Sequence, residues 1–334
     1  MIGAGPAGLA VAYHLQRIGL VPATTTGPHR SPTFVVLDAA SAPGGAWQLA
    51  WPELTMADVP GFDDLPGVQR PEVEPHTPAS SAVPAFLALY EQTFALHVRR
   101  PVHVRAVRDL GGPDRLLAVE TVETVGARAR TWRTRAVVTA TGSWSKPFWP
   151  AYPGRERFEG QQLHARDVRS VEEFAGRRVI VVGGGASAGH LLQRLARTAP
   201  ASRAARTTWV TRSPGAVDVR AASGARPGEL PAPRPMFTRL VPHGAVWTVG
   251  SVPDGVPTHV RADVIVWATG YRAALDHLAP LRLRGPGGEI PTDGTQASRD
   301  ARVQLVDYAP TAATTGADRA GREAVRNLRR TLGL

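Results

Sequence analysis

Short apolar runs alternate with stretches of helical periodicity along the chain, which predicts an α/β fold. The runs that predict strands are Phe34–Asp38, Val102–Val107, Leu116–Thr124, Thr131–Thr139, Arg177–Val182, Thr207–Val210, Val260–Val266 and Arg302–Val306. Helical periodicity predicts helices over Leu9–Ile18, Val83–Leu96, His190–Thr198 and Ala317–Leu332. Proline- and glycine-rich composition predicts irregular connections over Val21–Pro32, 43–80 and 213–235.

The first predicted helix is preceded by a G-x-G-x-x-G sequence. In a dinucleotide-binding turn the first glycine allows a tight turn, the second lets the backbone approach a pyrophosphate, and the third lets helix and strand pack closely. The helix N-terminus adds free N–H groups and a positive dipole end. The residues that we expect to bind a dinucleotide here are Gly3, Gly5, Pro6, Ala7 and Gly8.

The strand after this turn ends in Asp38, and an acid in that place accepts hydrogen bonds from an adenosine ribose. Two features depart from the usual pattern. Asp38 follows Gly8 by 30 residues rather than by about 20, and the loop Val21–Pro32 accounts for the excess. Only Met1 and Ile2 precede Gly3, so most of the expected first strand is missing from the sequence. Either the start site is wrong or the fold is compromised there.

A second strand, glycine turn and helix begin about 180 residues later with a G-x-G-x-x-A sequence. Its candidate cofactor-binding residues are Gly183, Gly185, Ala186, Ser187 and Ala188. The strand that follows ends in Thr211 and Arg212 rather than in an acid. An arginine there suits a 2′-phosphate, which favours NADPH over NADH.

Length and composition restrict the class of protein. The 334 residues suffice for about two domains. No apolar run reaches the roughly 18 residues that a membrane span needs, and no signal peptide is visible, so we expect a cytoplasmic location. The absence of cysteine excludes a disulfide framework, a thiolate metal site and a redox dithiol. Redox chemistry would therefore depend on a bound cofactor.

The net charge of +11 raises the question of a nucleic-acid partner. All of the 39 basic residues except Lys146 are arginine, and they are scattered among acids. The sequence has no long basic run and no basic patch interleaved with aromatic residues. We therefore expect small anions, and no nucleic acid or membrane, as binding partners.

Two predicted strands run into Ala-Thr-Gly sequences, at Ala140-Thr141-Gly142 and at Ala268-Thr269-Gly270. Together with the paired glycine turns, these sequences resemble the two-dinucleotide-binding flavoproteins, which include thioredoxin reductase and the flavin-containing monooxygenases. The resemblance covers nearly the whole chain. It implies FAD at the first glycine turn, NADPH at the second, and passage of the chain between two domains at each Ala-Thr-Gly.

Shorter segments favour the monooxygenase branch of that superfamily. Gly45 and Trp47 lie in a Gly-Gly-Ala-Trp segment that resembles the branch's Gly-Gly-x-Trp near the flavin. Phe158–His164 resembles the F-x-G-x-x-x-H signature, although Val168 stands where that signature continues to an aromatic residue. Asp263–Tyr271 resembles the D-x-x-x-x-A-T-G-Y segment.

The end of the chain resembles the closing flavin-binding segment of short bacterial members. The resemblance implies that the last helix points its N-terminus at the pyrimidine edge of the flavin, where its dipole would stabilise negative charge on the reduced ring. The residues that it implies at this place are Asp307, Thr315, Gly316 and Ala317.

Three features depart from the family. Flavin-containing monooxygenases often carry an active-site asparagine, whereas the only asparagine here, Asn327, is in the predicted C-terminal helix. The disulfide reductases need a cysteine pair, and this chain has none. The chain is also shorter than typical monooxygenases.

The predicted fold is α/β with two Rossmann-like domains, an FAD domain over 1–150 and 263–334 and an inserted NADPH domain over 172–262, joined by 151–171. The resemblance implies hydride transfer from NADPH to FAD, reaction with oxygen, and oxygenation of a small nucleophile such as an amine or sulfide. Two alternatives stay open: a reductase or oxidase without substrate oxygenation, and a non-catalytic dinucleotide-binding protein with a defective FAD site. A homodimer also stays open.

The remaining polar residues carry no assignable catalysis. We find no paired acids, so the catalytic side chains are unknown. His164 is interpreted as a structural residue of the linker, His14 as packing, and Asp318 as a complement to the helix dipole. Seven further histidines lack metal-ligand spacing, so we predict no metal and a surface position for each. These are His29, His76, His97, His103, His243, His259 and His277.

Overall fold

The computed structural model describes residues 1–23, 31–59, 62, 64–123, 126–198, 206–213, 230–252, 255–306 and 316–334. Within these ranges the helices are α1 (Pro6–Arg17), α2 (Ala79–Thr93), α3 (Ala186–Thr198) and α4 (Ala317–Leu332). The chain divides into two compact units. Unit 1 comprises Met1–Ala50, Thr55–Ser145 and Ala273–Leu334, and unit 2 comprises Trp51–Leu54 and Lys146–Arg272.

The strands of unit 1 are β1 (Val21–Pro22), β2 (Thr33–Phe34), β3 (Val102–Asp109), β4 (Leu117–Glu123), β5 (Ala129–Thr134), β6 (Val137–Thr139), β14 (Thr292–Asp293), β15 (Gln296–Ala297) and β16 (Val303–Leu305). Those of unit 2 are β7 (Gln161–His164), β8 (Arg178–Val182), β9 (Arg206–Val210), β10 (Arg239–Val241), β11 (Gly244–Val246), β12 (His259–Arg261) and β13 (Val264–Trp267). The α/β fold with two Rossmann-type units is confirmed.

Each unit contains parallel strand pairs with the same neighbour relations. In unit 2 the order is β7-β13-β8-β9, and Val210 of β9 also bridges Arg234 in parallel. In unit 1, β16 pairs with β6, and Ile2 forms parallel bridges to Thr139 of β6 and to Leu37. In unit 1, β6 leads into Ala140-Thr141-Gly142 and lies beside Ile2, which leads into the first glycine turn. In unit 2, β13 leads into Ala268-Thr269-Gly270 and lies beside β8, which leads into the second glycine turn.

Alternating side chains of the unit 2 sheet fill two cores. Val179 and Val181 of β8 pack in a cluster with Leu191 of α3. Ile180 and Val182 pack in the opposite cluster with residues of the antiparallel sheet β10-β11-β12. Because successive strand residues point to opposite faces, a strand that is apolar at every position is covered on both sides.

Several predicted boundaries were wrong. The predicted strand Thr131–Thr139 is two strands in different sheets, because the chain bends where the Thr134 hydroxyl donates to Ala136 O. The predicted strand Val260–Val266 is also two strands, β12 and β13, which are separated where the Asp263 carboxylate accepts from the Arg178 N–H at 2.7 Å. α2 begins four residues before its predicted start, in small residues that give no apolar periodicity.

Part of the prediction falls outside the described residues. Most of 213–235 and the residues His29, Asp307 and Thr315 belong to that part. The bounds Ala317–Leu332 of the last helix agree with the prediction.

Candidate functional site

The first glycine turn needs glycine at two positions for steric reasons. Gly3 has a φ of +97°, and a Cβ there would lie 2.2 Å from Ala140 O. A Cβ on Gly8 would lie 2.2 Å from Gly3 O. Any side chain at either position would force the turn away from β6 or from the start of α1, so these two residues preserve the close packing that a dinucleotide turn requires.

Gly5 differs, because a Cβ placed there would meet no heavy atom within 4 Å beyond its chain neighbours. Gly5 is the N-cap of α1, Pro6 is the first helical residue, and no side chain of the described residues caps the helix. The N–H groups of Ala7 and Gly8 thus face a space without a side-chain acceptor. Open space at an uncapped helix N-terminus fits a pyrophosphate, which brings its own acceptor oxygens.

The short N-terminal segment keeps this turn in register. Ala140 N donates to Ile2 O at 2.8 Å on one side, and Gly3 N donates to Leu37 O at 2.8 Å on the other. The chain from Phe34 to Asp38 is strand only as far as Phe34, and Leu37 then forms isolated bridges.

The Gly-Gly-Ala-Trp segment lies against the first turn. Gly45 has a φ of +54°, and a Cβ there would lie 3.3 Å from the Cα of Gly5. Trp47 is half-buried and makes an edge-to-face contact with Phe62, with ring centroids 5.5 Å apart. Gly45 therefore stands next to the open space at Gly5, while Trp47 has both a packing contact and an exposed surface.

Asp38 is brought to the same edge of the sheet, but its carboxylate is already engaged. It is 9% exposed, and its Oδ2 accepts from Arg100 Nε at 2.8 Å. Arg100 also donates to both carboxylate oxygens of Glu91, at 2.7 and 2.6 Å. This ion-pair network fixes the side chain, and ribose binding by Asp38 stays a prediction.

The second glycine turn has the construction of the first. Gly183 has a φ of +154°, and a Cβ there would lie 2.2 Å from Ala268 O. A Cβ on Gly185 would meet no heavy atom within 4 Å beyond its neighbours. Ala186 and Ser187, the first residues of α3, are exposed, whereas Ala188 is buried. In both units the first glycine is pressed against the alanine of an Ala-Thr-Gly, and the middle glycine faces open space.

Arg212 is exposed beyond the end of β9. Because β8 and β9 pair in parallel with Val182 opposite Val210, Arg212 lies at the level of Gly184 in the second turn. The preceding Thr211 is buried. Arg212 therefore follows the carboxyl end of a parallel strand, the edge of the sheet at which dinucleotides bind in such folds.

Each Ala-Thr-Gly sequence is held by one side-chain hydrogen bond and one backbone hydrogen bond. In unit 1, Thr141 Oγ1 donates to Ala274 O at 2.8 Å, and Ala274 N donates to Gly142 O at 2.9 Å. In unit 2, Thr269 Oγ1 donates to Phe148 O at 2.5 Å, and Phe148 N donates to Gly270 O at 2.9 Å. The threonine fixes the backbone just after the alanine that supports each glycine turn.

His164 has a structural role, as the sequence indicated. It is 1% exposed, its Nδ1 accepts from Arg166 N at 3.3 Å, and its Nε2 donates to Gly270 O at 3.1 Å. Burial lowers the pKa of this imidazole, which favours the neutral form. His164, the last residue of the F-x-G-x-x-x-H signature, thus holds the carbonyl of Gly270 in the second Ala-Thr-Gly sequence.

The first residues of α4 lack a side-chain cap among the described residues. Gly316 is the N-cap and Ala317 the first helical residue, so their backbone N–H groups suit an anionic edge. Gly321 lets α4 approach α1, because a Cβ there would lie 3.2 Å from Ala10 C. Asp318 does more than complement the dipole, because it binds His14 Nε2 of α1 at 2.7 Å.

Sequence reasoning missed two buried polar residues. Asn327 is 8% exposed, and its amide donates to Thr295 Oγ1 and Gln304 Oε1, both at 3.3 Å. The surface position predicted for His277 was wrong. It is 7% exposed and hydrogen-bonds Thr139 Oγ1 at 3.2 Å, directly before Ala140. No spacing in the sequence marks either residue, because their partners are distant along the chain.

His277 is expected to make folding stability depend on pH. Burial lowers its pKa to about 4, whereas an unfolded histidine titrates near about 6.5. Between these values the unfolded chain binds a proton that the folded chain does not, so the free energy of unfolding falls as the pH falls, by at most about 3 kcal/mol. His277→Gln should therefore show a smaller drop in Tm between about pH 7 and about pH 5 than wild type.

The matched control is His76→Gln, which removes an exposed histidine. It should keep the wild-type pH dependence of Tm. An equal drop in wild type and in His277→Gln would show that His277 does not carry the effect.

The sequence profile of the pyridine nucleotide-disulphide oxidoreductases matches residues 47–221, which is more than half of the chain. The chain belongs to this family. Having no cysteine, it is a member without a redox dithiol.

Within the family, a solved flavin-containing monooxygenase from Stenotrophomonas maltophilia is 34% identical to the chain. That likeness covers 99% of this chain and 97% of the other, with a TM-score of 0.81. The chain therefore belongs with the flavin-containing monooxygenases. The bacillithiol disulfide reductase of Bacillus cereus has the same fold, with a TM-score of 0.70 at 17% identity over 99% of this chain and 98% of that one.

A curated relative of this family member is the probable indole-3-pyruvate monooxygenase YUCCA7 of Arabidopsis thaliana. It is 33% identical over 193 residues, which are 56% of this chain and 41% of that protein. The chain thus spans about two fifths of the length of the curated relatives that it matches. Among the described residues, no helix is both long and apolar enough to span a bilayer.

Proposed function

We propose that this family member is an FAD- and NADPH-dependent monooxygenase, with FAD at the first glycine turn and NADPH at the second. The observation that carries the proposal is the repeated construction of the two turns. Gly3 and Gly183 are closed by an alanine carbonyl, while Gly5 and Gly185 face open space. The likeness to the Stenotrophomonas maltophilia enzyme supports the choice of flavin and oxygen chemistry.

The residues of unit 1 bind and orient FAD in this proposal. The N–H groups of Ala7 and Gly8 bind the pyrophosphate, Asp38 contacts the ribose, and Gly45 and Trp47 border the flavin. The uncapped start of α4 at Gly316 and Ala317, with Asp307 and Thr315 before it, faces the negative edge of the reduced ring. Ala140, Thr141 and Gly142 keep the turn closed around Gly3.

The residues of unit 2 bind NADPH. The start of α3 at Ala186 and Ser187 receives the pyrophosphate, and Arg212 binds the 2′-phosphate. Ala268, Thr269 and Gly270 support the turn, with His164 fixing the last carbonyl. When bound, the two cofactors supply a hydride and a route for electrons to oxygen, so the protein needs to bind, orient and exclude water rather than provide an acid–base pair.

Product analysis tests this function. The FAD-loaded protein is mixed with NADPH, air and a panel of small amines and sulfides. We expect oxygenated product in an amount comparable to the NADPH consumed, for at least one substrate. Hydrogen peroxide as the only product across the panel would contradict oxygenation and would favour an oxidase.

Replacing Arg212 is expected to change the choice of nicotinamide cofactor. Arg212→Gln should raise the KM for NADPH by about 10- to 100-fold, because hydrogen bonds between charged groups are worth about 1.5–3 kcal/mol. The KM for NADH should stay within about twofold of wild type, since NADH has no 2′-phosphate. Anaerobic flavin reduction, followed at a series of NADPH and NADH concentrations, measures both values.

Arg206→Gln is the matched control, because Arg206 is an exposed arginine at the other end of β9. This substitution should leave the KM values for NADPH and for NADH unchanged. Equal losses with NADPH and NADH in Arg212→Gln would contradict a contact to the 2′-phosphate.

A further inference from the structure

The indole of Trp209 packs against α3 in unit 2. In the parallel register of β8 and β9, Trp209 is paired with Val181, and it is 4% exposed. Its ring belongs to the same apolar cluster as Val181, Ala188 and Leu191. A buried indole N–H loses its hydrogen bond to water and needs an acceptor in the protein. The acceptor that this side chain reaches therefore decides what it does.

That acceptor is the carbonyl of the first glycine in the second turn. Trp209 Nε1 donates to Gly183 O at 2.7 Å. On the other side of the same residue, Gly183 N donates to Val210 O at 2.9 Å. Gly184 and Gly185 follow directly in the sequence. The indole therefore holds the peptide that leads into the open part of the turn.

The first turn holds the corresponding carbonyl in another way. The carbonyl of Gly3 lies so close to Gly8 that a Cβ on Gly8 would be 2.2 Å from Gly3 O. Ala188 stands in the place of Gly8 in the second turn, and its Cβ excludes such a contact with Gly183 O. The φ of the first glycine also differs, +97° at Gly3 and +154° at Gly183. The indole of Trp209 thus holds a carbonyl that cannot lie against the helix as Gly3 O does.

We infer that Trp209 is a positioning residue for NADPH. It holds the carbonyl of Gly183 so that the N–H groups that follow, in the turn and at the start of α3, face the pyrophosphate. It does so in place of the contact that the third glycine allows in the first turn. The inference rests on the proposed function, which places NADPH at the second turn. Because NADPH and NADH share the pyrophosphate, the indole should affect both cofactors equally, unlike Arg212.

Trp209→Phe removes the N–H donor and keeps an aromatic ring in the cluster. Isothermal titration calorimetry on the FAD-loaded protein measures the dissociation constants of NADP+ and NAD+. We expect both constants to rise by about 5- to 10-fold, the range for loss of one uncharged hydrogen bond to a buried carbonyl. In anaerobic flavin reduction, the KM values for NADPH and NADH should rise by the same factor. The limiting rate should stay within about twofold of wild type, because the indole acts on binding.

Trp247→Phe is the matched control. Trp247 is also a buried tryptophan of unit 2, 1% exposed, and its Nε1 donates to Pro235 O at 2.8 Å. Both variants lose one buried indole donor and should show a similar fall in Tm, but only Trp209→Phe should bind the nicotinamide cofactors more weakly. Equal weakening in the two variants, or wild-type affinity in Trp209→Phe, would overturn the inference.

A second substitution tests the comparison between the two turns. Ala188→Gly gives the second turn the third glycine of the first turn, so the Gly183 carbonyl can lie against the helix. The double variant Trp209→Phe/Ala188→Gly should therefore bind NADP+ at least about threefold more tightly than Trp209→Phe. Affinity no better than that of Trp209→Phe would contradict the replacement of the glycine contact by the indole.

The two proposals fail in different ways. NADP+ that binds wild type and Trp209→Phe equally well would contradict the inference alone. NADP+ binding that depends on Trp209, without oxygenated product from the substrate panel, would contradict the proposed oxygenation and leave the inference standing. A wild-type protein that binds neither NADP+ nor NAD+ would contradict both.

Discussion

Gly5→Val is expected to remain folded and to lose FAD. A Cβ at this position meets no heavy atom within 4 Å beyond its chain neighbours, and its φ of −75° is open to any residue. The side chain would instead occupy the space that the pyrophosphate needs for close approach to the backbone. We expect FAD to bind at least about 100-fold more weakly than to wild type, measured by flavin absorption after desalting and by titration.

Gly3→Ala provides the contrast within the same turn. Its Cβ would lie 2.2 Å from Ala140 O at a φ of +97°, so this variant should lose stability as well as FAD. Thermal unfolding of the FAD-free proteins separates the two variants, with Gly5→Val near the Tm of FAD-free wild type and Gly3→Ala well below it. A Gly5→Val protein that retains FAD at wild-type affinity would show that no cofactor approaches this turn.

Gly185→Val is expected to keep FAD and to lose reduction by NADPH. Gly185 has the same open surroundings as Gly5, but it lies in the second turn, where the proposal places NADPH. A branched side chain there should raise the NADPH concentration needed for half-maximal flavin reduction by about 100-fold or more. Anaerobic bleaching of the flavin absorption, followed as NADPH is added, measures the effect.

The two valine variants are each other's control, because one glycine is replaced in each of two turns of equal construction. Gly5→Val should contain less FAD than wild type. Gly185→Val should contain FAD as wild type does but should need more NADPH for flavin reduction. Loss of FAD from Gly185→Val, with Gly5→Val unaffected, would reverse the assignment of the two cofactors. Normal reduction of Gly185→Val at low NADPH would remove the second turn from the binding site.

The glycine turns could be predicted because their steric needs are local. Gly3 and Gly183 require a positive φ and a contact too close for a Cβ, and only glycine meets both conditions. The strand after the second turn and the last helix could also be predicted from their local patterns, whereas the predicted strand Phe34–Asp38 is strand only as far as Phe34. The roles of the two Ala-Thr-Gly sequences came from family resemblance, and the structure adds the carbonyl that closes each turn.

Features that depend on distant partners could not be predicted. The bend between β5 and β6 follows from where neighbouring strands lie, and nothing in the residues 131–139 themselves marks it. The burial of His277 depends on Thr139, 138 residues earlier in the chain. The engagement of Asp38 by Arg100 likewise has no local signal.

The spectrum of the FAD-loaded protein tests the central claim most directly. The purified protein is incubated with FAD, desalted, made anaerobic and mixed with NADPH. We expect flavin absorption to be retained after desalting and to be bleached by NADPH. A colourless protein, or a bound flavin that stays oxidised with excess NADPH, would contradict the claim that the two glycine turns serve one path for electrons.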